Sequence, residues 1–325
     1  MYRLAIIGAG QLGSRYLQGL AHFEFPCEID VVDPSRSSLD IARQRFEEIP
    51  KNSLIQEVRY HTSVKALPQI LDLVIVATNS DVRFDVLKEL LGQSKVGFLL
   101  LEKVLFQRAN EYEQARNLLT IHQVKAWVNC TRRAFPIYSD IRDFFADDPL
   151  RHMQVRGGDW GLGCNGIHFL DIFGMLTNSP IESISTEGLD TELISSKRKG
   201  FFEFTGTLSG VYASGASFEI TSLVESHARI LIMLRSEART CLVDEAGSVA
   251  FFMDVNNGGT WEKSEFKIPR LSDLSHILVA QILTKQTSEL PTYEESAKYH
   301  LPFIYSLAQH GAKYHALSTD LCPIT

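Results

Sequence analysis

Three groups of residues combine types and spacings that could do chemistry. Gly8-Ala9-Gly10-Gln11-Leu12-Gly13 is a G-x-G-x-x-G run. Glycines so spaced allow a tight turn, close approach of a pyrophosphate to the backbone, and close helix packing, provided a strand precedes and a helix follows. Leu4 to Ile7 reads as that strand and Gln11 to about His22 as that helix, with Leu12, Tyr16 and Leu20 along one apolar face. Asp33 ends the next strand, about 20 residues past the last glycine, where a carboxylate would accept from adenosine ribose hydroxyls. Its charge would repel a 2′-phosphate, which favours NAD. Arg36 could pair with that phosphate, so NADP stays open.

The second group stands at later strand ends, Ala77-Thr78-Asn79-Ser80 and Glu102-Lys103-Val104-Leu105, where open α/β sheets bind ligands. Thr78, Asn79, Ser80, Glu102 and Lys103 are accordingly candidate cofactor contacts. The third runs from Gly157 to Asp171 and contains Trp160, Cys164, Asn165 and His168. If it is helical from Cys164 onward, Cys164, His168 and Asp171 share one face, and Ile167, Leu170 and Met175 point the other way. That places a polar stripe toward a cleft. An imidazole, which titrates near 6.5 when unperturbed, suits a general base that removes a hydroxyl proton. Cys164 and His168 have no further ligand spacing around them, and the five cysteines form no C-x-x-C pair, so no metal site is expected.

The elements that must position these residues fall into two halves. To about residue 122, short β-rich runs alternate with helical patterns, as in βαβ units around a parallel sheet. Leu71 to Thr78 is a near-continuous apolar run of the kind buried on both faces. The helix after it carries Val82, Val86, Leu87 and Leu90 as its stripe. Beyond about residue 180, Phe201 to Ser209, Val211 to Ser222, Ala228 to Arg235, Arg239 to Asp244 and Thr260 to Ile268 read as consecutive strands. Ala216, Phe218 and Ile220 alternate there with Ser217, Glu219 and Thr221, a sheet with one covered and one accessible face. Helices over about Ser272 to Lys285 and Tyr293 to Tyr314 follow, the latter with Pro302 as a kink. The expected fold is α/β: an N-terminal Rossmann domain with a doubly wound parallel sheet (1–122), then an α+β substrate and oligomerisation domain on a mostly antiparallel open sheet (123–325). The accessible sheet face suits a homo-oligomer, dimer or tetramer. A formal net charge of −7 gives no basic excess for nucleic acid or an anionic membrane. No apolar run reaches the ~20 residues of a membrane helix, and the N-terminus lacks a signal-peptide pattern, so a cytoplasmic protein is expected.

Together, the glycine-rich start, the Ala-Thr-Asn and Glu-Lys-x-Leu strand ends, the Gly-Gly…His-x-x-Asp segment and the closing Leu290-Pro291-Thr292-Tyr293-Glu294-Glu295-Ser296 resemble the glucose-fructose oxidoreductase, inositol dehydrogenase and MocA (Gfo/Idh/MocA) family along essentially the whole chain. The resemblance implies that Lys103 sits beside the nicotinamide and assists proton transfer, and that His168 is the active-site histidine. Trp127 to Pro136 resembles the family's passage into the substrate domain, which implies that Asn129 and Arg132 or Arg133 touch the substrate. The sequence departs from the family at Cys164, where an Asp is usual, at Val104, where Pro is usual, and at Arg83, where His is usual. Without proline a trans bond is expected after Lys103, and Arg83 reads as a solvated residue of a first helical turn. The implied activity is NAD(P)-dependent hydride transfer at a secondary alcohol or ketone of a sugar, cyclic polyol or nucleotide-linked sugar. The alternatives are a non-catalytic NAD(P)-sensing regulator and an imine or tetrapyrrole reductase on the same fold.

Overall fold

The structure, a computed structural model, describes residues 1–325. The chain begins with β1 (Tyr2–Ile7), α1 (Gln11–Leu20), β2 (Cys27–Val32), α2 (Arg36–Glu47), β3 (Ile55–His61), β4 (Ile70–Val76), α3 (Ser80–Gln93), β5 (Lys95–Leu101), α4 (Ala109–Ile121) and β6 (Lys125–Val128). The six strands form one parallel sheet in the order β3-β2-β1-β4-β5-β6, doubly wound about β1 and β4. Both faces are covered. Leu73 to Val76 and Leu99 to Leu101 are fully buried without alternation, because a parallel strand between helix layers has no wet side. The edge strand β3 carries only one buried residue, Ile55, and its short apolar content hides it from a reading of periodicity.

The later elements are α5 (Pro136–Phe144), β7 (His152–Gly158), α6 (Leu162–Thr177), β8 (Ile181–Leu189), β9 (Ile194–Ser195), β10 (Phe202–Glu203), β11 (Gly206–Tyr212), β12 (Ser217–Leu223), β13 (Leu231–Arg235), β14 (Arg239–Asp244), β15 (Val249–Asp254), β16 (Trp261–Glu265), α7 (Leu271–Lys285) and α8 (Tyr293–Tyr314). Eight of the strands form a sheet in the order β16-β15-β14-β13-β7-β12-β11-β8, and β9 and β10 make a separate hairpin. All pairs in the large sheet are antiparallel except β7 with β12, so the sheet is mixed, and β7 enters its middle from before α6. Phe218 and Ile220 are buried, whereas Ser217 and Glu219 are half-buried, as the alternation in β12 predicts.

The division of the chain differs from a cut at residue 122. One compact unit comprises residues 1–106, 110–129 and 269–295; the other comprises 107–109, 130–268 and 296–325. The reason for the return of 269–295 is local. Helix α7 packs on α1, and an added Cβ at Gly19 would lie 2.6 Å from the Ser272 carbonyl oxygen, so the first unit recruits a late helix to cover an early one. No helix is long and apolar enough to cross a membrane.

Candidate functional site

The turn from β1 into α1 is built as its glycines require. Gly8 has φ +95°, and an added Cβ at Gly13 would fall 1.7 Å from the Gly8 oxygen, so neither position tolerates a side chain. Around Gly10 there is nothing within 4 Å of an added Cβ, which leaves open space over the start of α1, whose N-cap has no side-chain hydrogen bond. Asp33 closes the turn from the next strand: its Oδ2 accepts from the Ala9 N–H at 2.7 Å and its Oδ1 from the Ser35 N–H at 2.8 Å. Each oxygen keeps one lone pair for a hydroxyl. Gln11 accepts from Arg45 at 3.0 Å, Leu12 is half-buried, and Arg36 is exposed at the first residue of α2.

Across the sheet, Thr78 follows β4 with its Oγ1 buried and without a hydrogen-bond partner, a polar atom poised for a ligand. Asn79 is exposed, and Ser80 is buried where it opens α3. An open, uncapped helix start beside an orphaned hydroxyl fits a pyrophosphate-bearing dinucleotide. Helix α3 turns its faces against expectation. Val82 is 45% exposed and Arg83 is 1% exposed, so the residue read as solvated is interior. Arg83 Nη1 donates to the Val104 carbonyl and, at 2.8 Å, to the Leu105 carbonyl; Nη2 donates to the Thr78 carbonyl. Burial pulls its pKa down to about 10, against the opposing pull of Glu102.

The expected trans bond after Lys103 is also corrected: the Lys103–Val104 peptide is cis. Val104, Leu105 and Phe106 are fully buried and their carbonyls are held by Arg83 and Tyr112. Glu102 is 2% exposed and faces inward, where Oε1 accepts from Tyr16 Oη at 2.6 Å and Asn129 Nδ2 at 2.5 Å. Glu102 and Asn129, expected at cofactor and substrate, thus brace α1, β5 and β6. Lys103 stands between these anchors as the one residue of 101–107 that is not buried.

In the second unit, α6 is helical as its spacing predicts, yet the polar stripe does not face open space. His168 is 8% and Asp171 1% exposed, and only Cys164 of the three is half-buried. Asp171 takes both Arg133 Nε and Nη2, at 2.8 and 2.9 Å; Arg132 forks onto Glu245 at 2.9 and 2.8 Å and lies over the Phe169 ring. Both arginines, read from the sequence as substrate contacts, are paired with carboxylates of their own unit. Trp160 Nε1 donates to the Thr221 carbonyl and Asn165 Nδ2 to the Trp160 carbonyl, each at 2.8 Å, so these two residues brace the loop into α6. Glu203 on β10, which sequence reasoning missed, accepts from the Cys164 N–H at 3.1 Å and caps the helix start. Nothing local in the sequence pairs Glu203 or Glu245 with their partners. The structure contains no cluster of three or more His, Cys, Asp or Glu side chains that could hold a metal.

No protein-family model matches the sequence, and no curated protein matches it. Solved structures do. A Gfo/Idh/MocA family oxidoreductase from Vibrio cholerae is similar with TM-score 0.68 and 18% identity over 96% of this chain and 99% of that one. UDP-N-acetylglucosamine 3-dehydrogenase from Acidithiobacillus ferrooxidans is similar with TM-score 0.71 and 14% identity, covering 98% of each chain. Biliverdin reductase from Synechocystis sp., solved with biliverdin and NADP+, is similar with TM-score 0.75 and 14% identity over 95% and 98%. The whole chain has the fold of these oxidoreductases.

Proposed function

We propose that this chain is a Gfo/Idh/MocA oxidoreductase that moves hydride between a nicotinamide cofactor and a secondary alcohol or ketone of a sugar, cyclic polyol or nucleotide-linked sugar. The observation that carries the reading is Lys103, the one part-exposed side chain in a buried strand end, on the same sheet edge as the glycine turn and the orphaned Thr78 hydroxyl. The two similar structures named for a sugar-nucleotide dehydrogenase and a tetrapyrrole reductase support the reaction type and leave the substrate class to this proposal.

The Gly8 to Gly13 turn, Asp33 and Thr78 would hold the cofactor, which when bound supplies the hydride chemistry. The Lys103 ammonium donates to the substrate oxygen and stabilises the alkoxide or the developing carbonyl. His168, the histidine that the family resemblance singles out, would accept the hydroxyl proton directly or through water in oxidation, and return it in reduction. Cys164 takes no part in this chemistry. Asp33 makes NAD the preferred cofactor, because its free lone pairs suit two ribose hydroxyls and its charge opposes a phosphate. A homo-oligomer belongs to the same proposal and is read by sedimentation velocity.

Turnover of a panel of sugars, polyols and nucleotide sugars with NAD and NADP tests the reading. Wild type should reduce NAD with at least one of them, and Lys103→Ala should abolish that turnover while fluorescence titration finds NADH affinity nearly unchanged. Turnover of no alcohol or ketone, together with cofactor-dependent binding to a protein partner, would make the chain a regulator instead.

A further inference from the structure

The strand end that carries Lys103 is held from both sides. On the side before it, Glu102 is fixed by Tyr16 and Asn129. On the side after it, the carbonyls of Val104 and Leu105 are taken by Arg83, whose other nitrogen takes the Thr78 carbonyl. Arg83 lies outside the proposed chemistry, yet it joins the two segments from which that chemistry departs.

We infer that Arg83 is a positioning residue for Lys103, acting through the backbone of residues 104 and 105. A lysine side chain is a flexible four-carbon stem, so the reach of its Nζ is decided largely by where its backbone is held. A planar guanidinium has five donors in a fixed fork and can serve carbonyls that approach from two directions at once. Lysine at position 83 would bring one point charge on a shorter reach and could not bridge both segments; glutamine would bring no charge and two donors. The niche also selects for a cation. The three carbonyl dipoles point at the guanidinium, and Glu102 lowers the cost of burying it. The packing of the helix agrees with this demand: α3 buries Arg83 while leaving Val82 outside, an exchange that apolar packing alone would reverse.

The inference rests on the reading that Lys103 acts on substrate, and its test separates the two. Lysines of the NADH-loaded protein are reductively ¹³C-dimethylated, and the Lys103 resonance is identified by its absence from Lys103→Arg. In wild type this resonance is expected apart from the exposed lysines and sensitive to NADH. In Arg83→Gln it is expected to move into the exposed group and lose that response, while NADH binds within about threefold of wild type; Arg83→Lys is expected in between. On any alcohol turned over, kcat should fall about 10²-fold in Arg83→Gln with KM little changed, the usual consequence of misplacing a reacting group by about 1 Å. A Lys103 resonance at the wild-type position in folded Arg83→Gln, or a loss confined to KM, overturns the positioning role. If Arg83→Gln does not fold, Arg83→Lys decides: an intermediate position supports the role and the wild-type position overturns it. If the resonance behaves as expected but Lys103→Ala leaves turnover intact, the positioning stands and the catalytic reading of Lys103 fails.

Discussion

Each unit holds arginines next to its candidate residues, and the two units hold them in opposite ways. In the first, Arg83 is surrounded by backbone carbonyls, and burial pulls its pKa down to about 10. In the second, Arg133 and Arg132 fork onto Asp171 and Glu245. Burial is the largest single influence on Arg132 and would depress it, but the charge and hydrogen bonds of Glu245 together with Tyr138 outweigh it and hold the pKa above the ordinary arginine value. The lesson is that burial by itself does not say what an arginine near a site is for. A carbonyl-held guanidinium keeps a net charge and organises backbone. A carboxylate-held one is neutralised and locks two elements together, so removing its partner strands a charge in the interior.

The largest expected effect follows from that stranded charge. Asp171→Asn should cost about 3–5 kcal/mol in urea unfolding, because the Asp171 side chain is 1% exposed and that of its partner Arg133 9%. The double variant Arg133→Met/Asp171→Leu should recover most of the loss. A cost below ~1 kcal/mol for Asp171→Asn would mean that the pair is solvated and would erase the contrast.

Alkaline stability sharpens the comparison next. Burial pushes the Cys27 thiol from 9.0 up to about 11, so the unfolded chain loses that proton first. Its contribution is full below pH 9 and is lost as pH rises toward 11, on the order of 2–3 kcal/mol. Arg83 works in the other sense. Its folded value near 10 lies below the ordinary arginine value, so above pH 10 the unfolded chain binds more protons and the contribution of Arg83 grows with pH. Arg83→Met should therefore steepen the fall of melting temperature above pH 10. Arg132→Met should leave the slope as it is, since that group stays protonated in both states throughout the range. Equal slopes in the two variants would refute the opposed electrostatics.

At neutral pH, Arg83→Met should cost about 1–3 kcal/mol, less than Asp171→Asn, because the groups Arg83 directly hydrogen-bonds are carbonyl dipoles rather than a carboxylate. Chemical denaturation of both variants in one buffer gives the ranking directly, and a reversed order would sink it. The smallest effect belongs to Cys164→Ser. The side chain is half-buried and its backbone N–H, which Glu203 holds, is unaffected, so stability should change by less than ~0.5 kcal/mol. A larger loss would assign the thiol a contact that size and polarity alone do not explain.

Much of this protein was legible in its residues. The glycine turn, the alternation of strands and helices to residue 122, the helix through His168 and the limits of α8 all follow from local spacing, because turn geometry and a single apolar face are properties of neighbouring residues. Three things were not. The edge strand β3 has almost no apolar signal, and β7 stands far in sequence from the strands it joins, so the mixed sheet exists only through long-range pairing. Helix α7 belongs to the first unit because a surface of α1 needs covering, a demand that arises only once α1 is folded. The fates of Arg83, Arg132, Arg133, Glu102 and Asn129 were likewise decided in three dimensions. A charged side chain in a sequence carries its chemistry but not its partner, and whether that partner is water, a carbonyl or a distant carboxylate is settled by which segments the core brings against it.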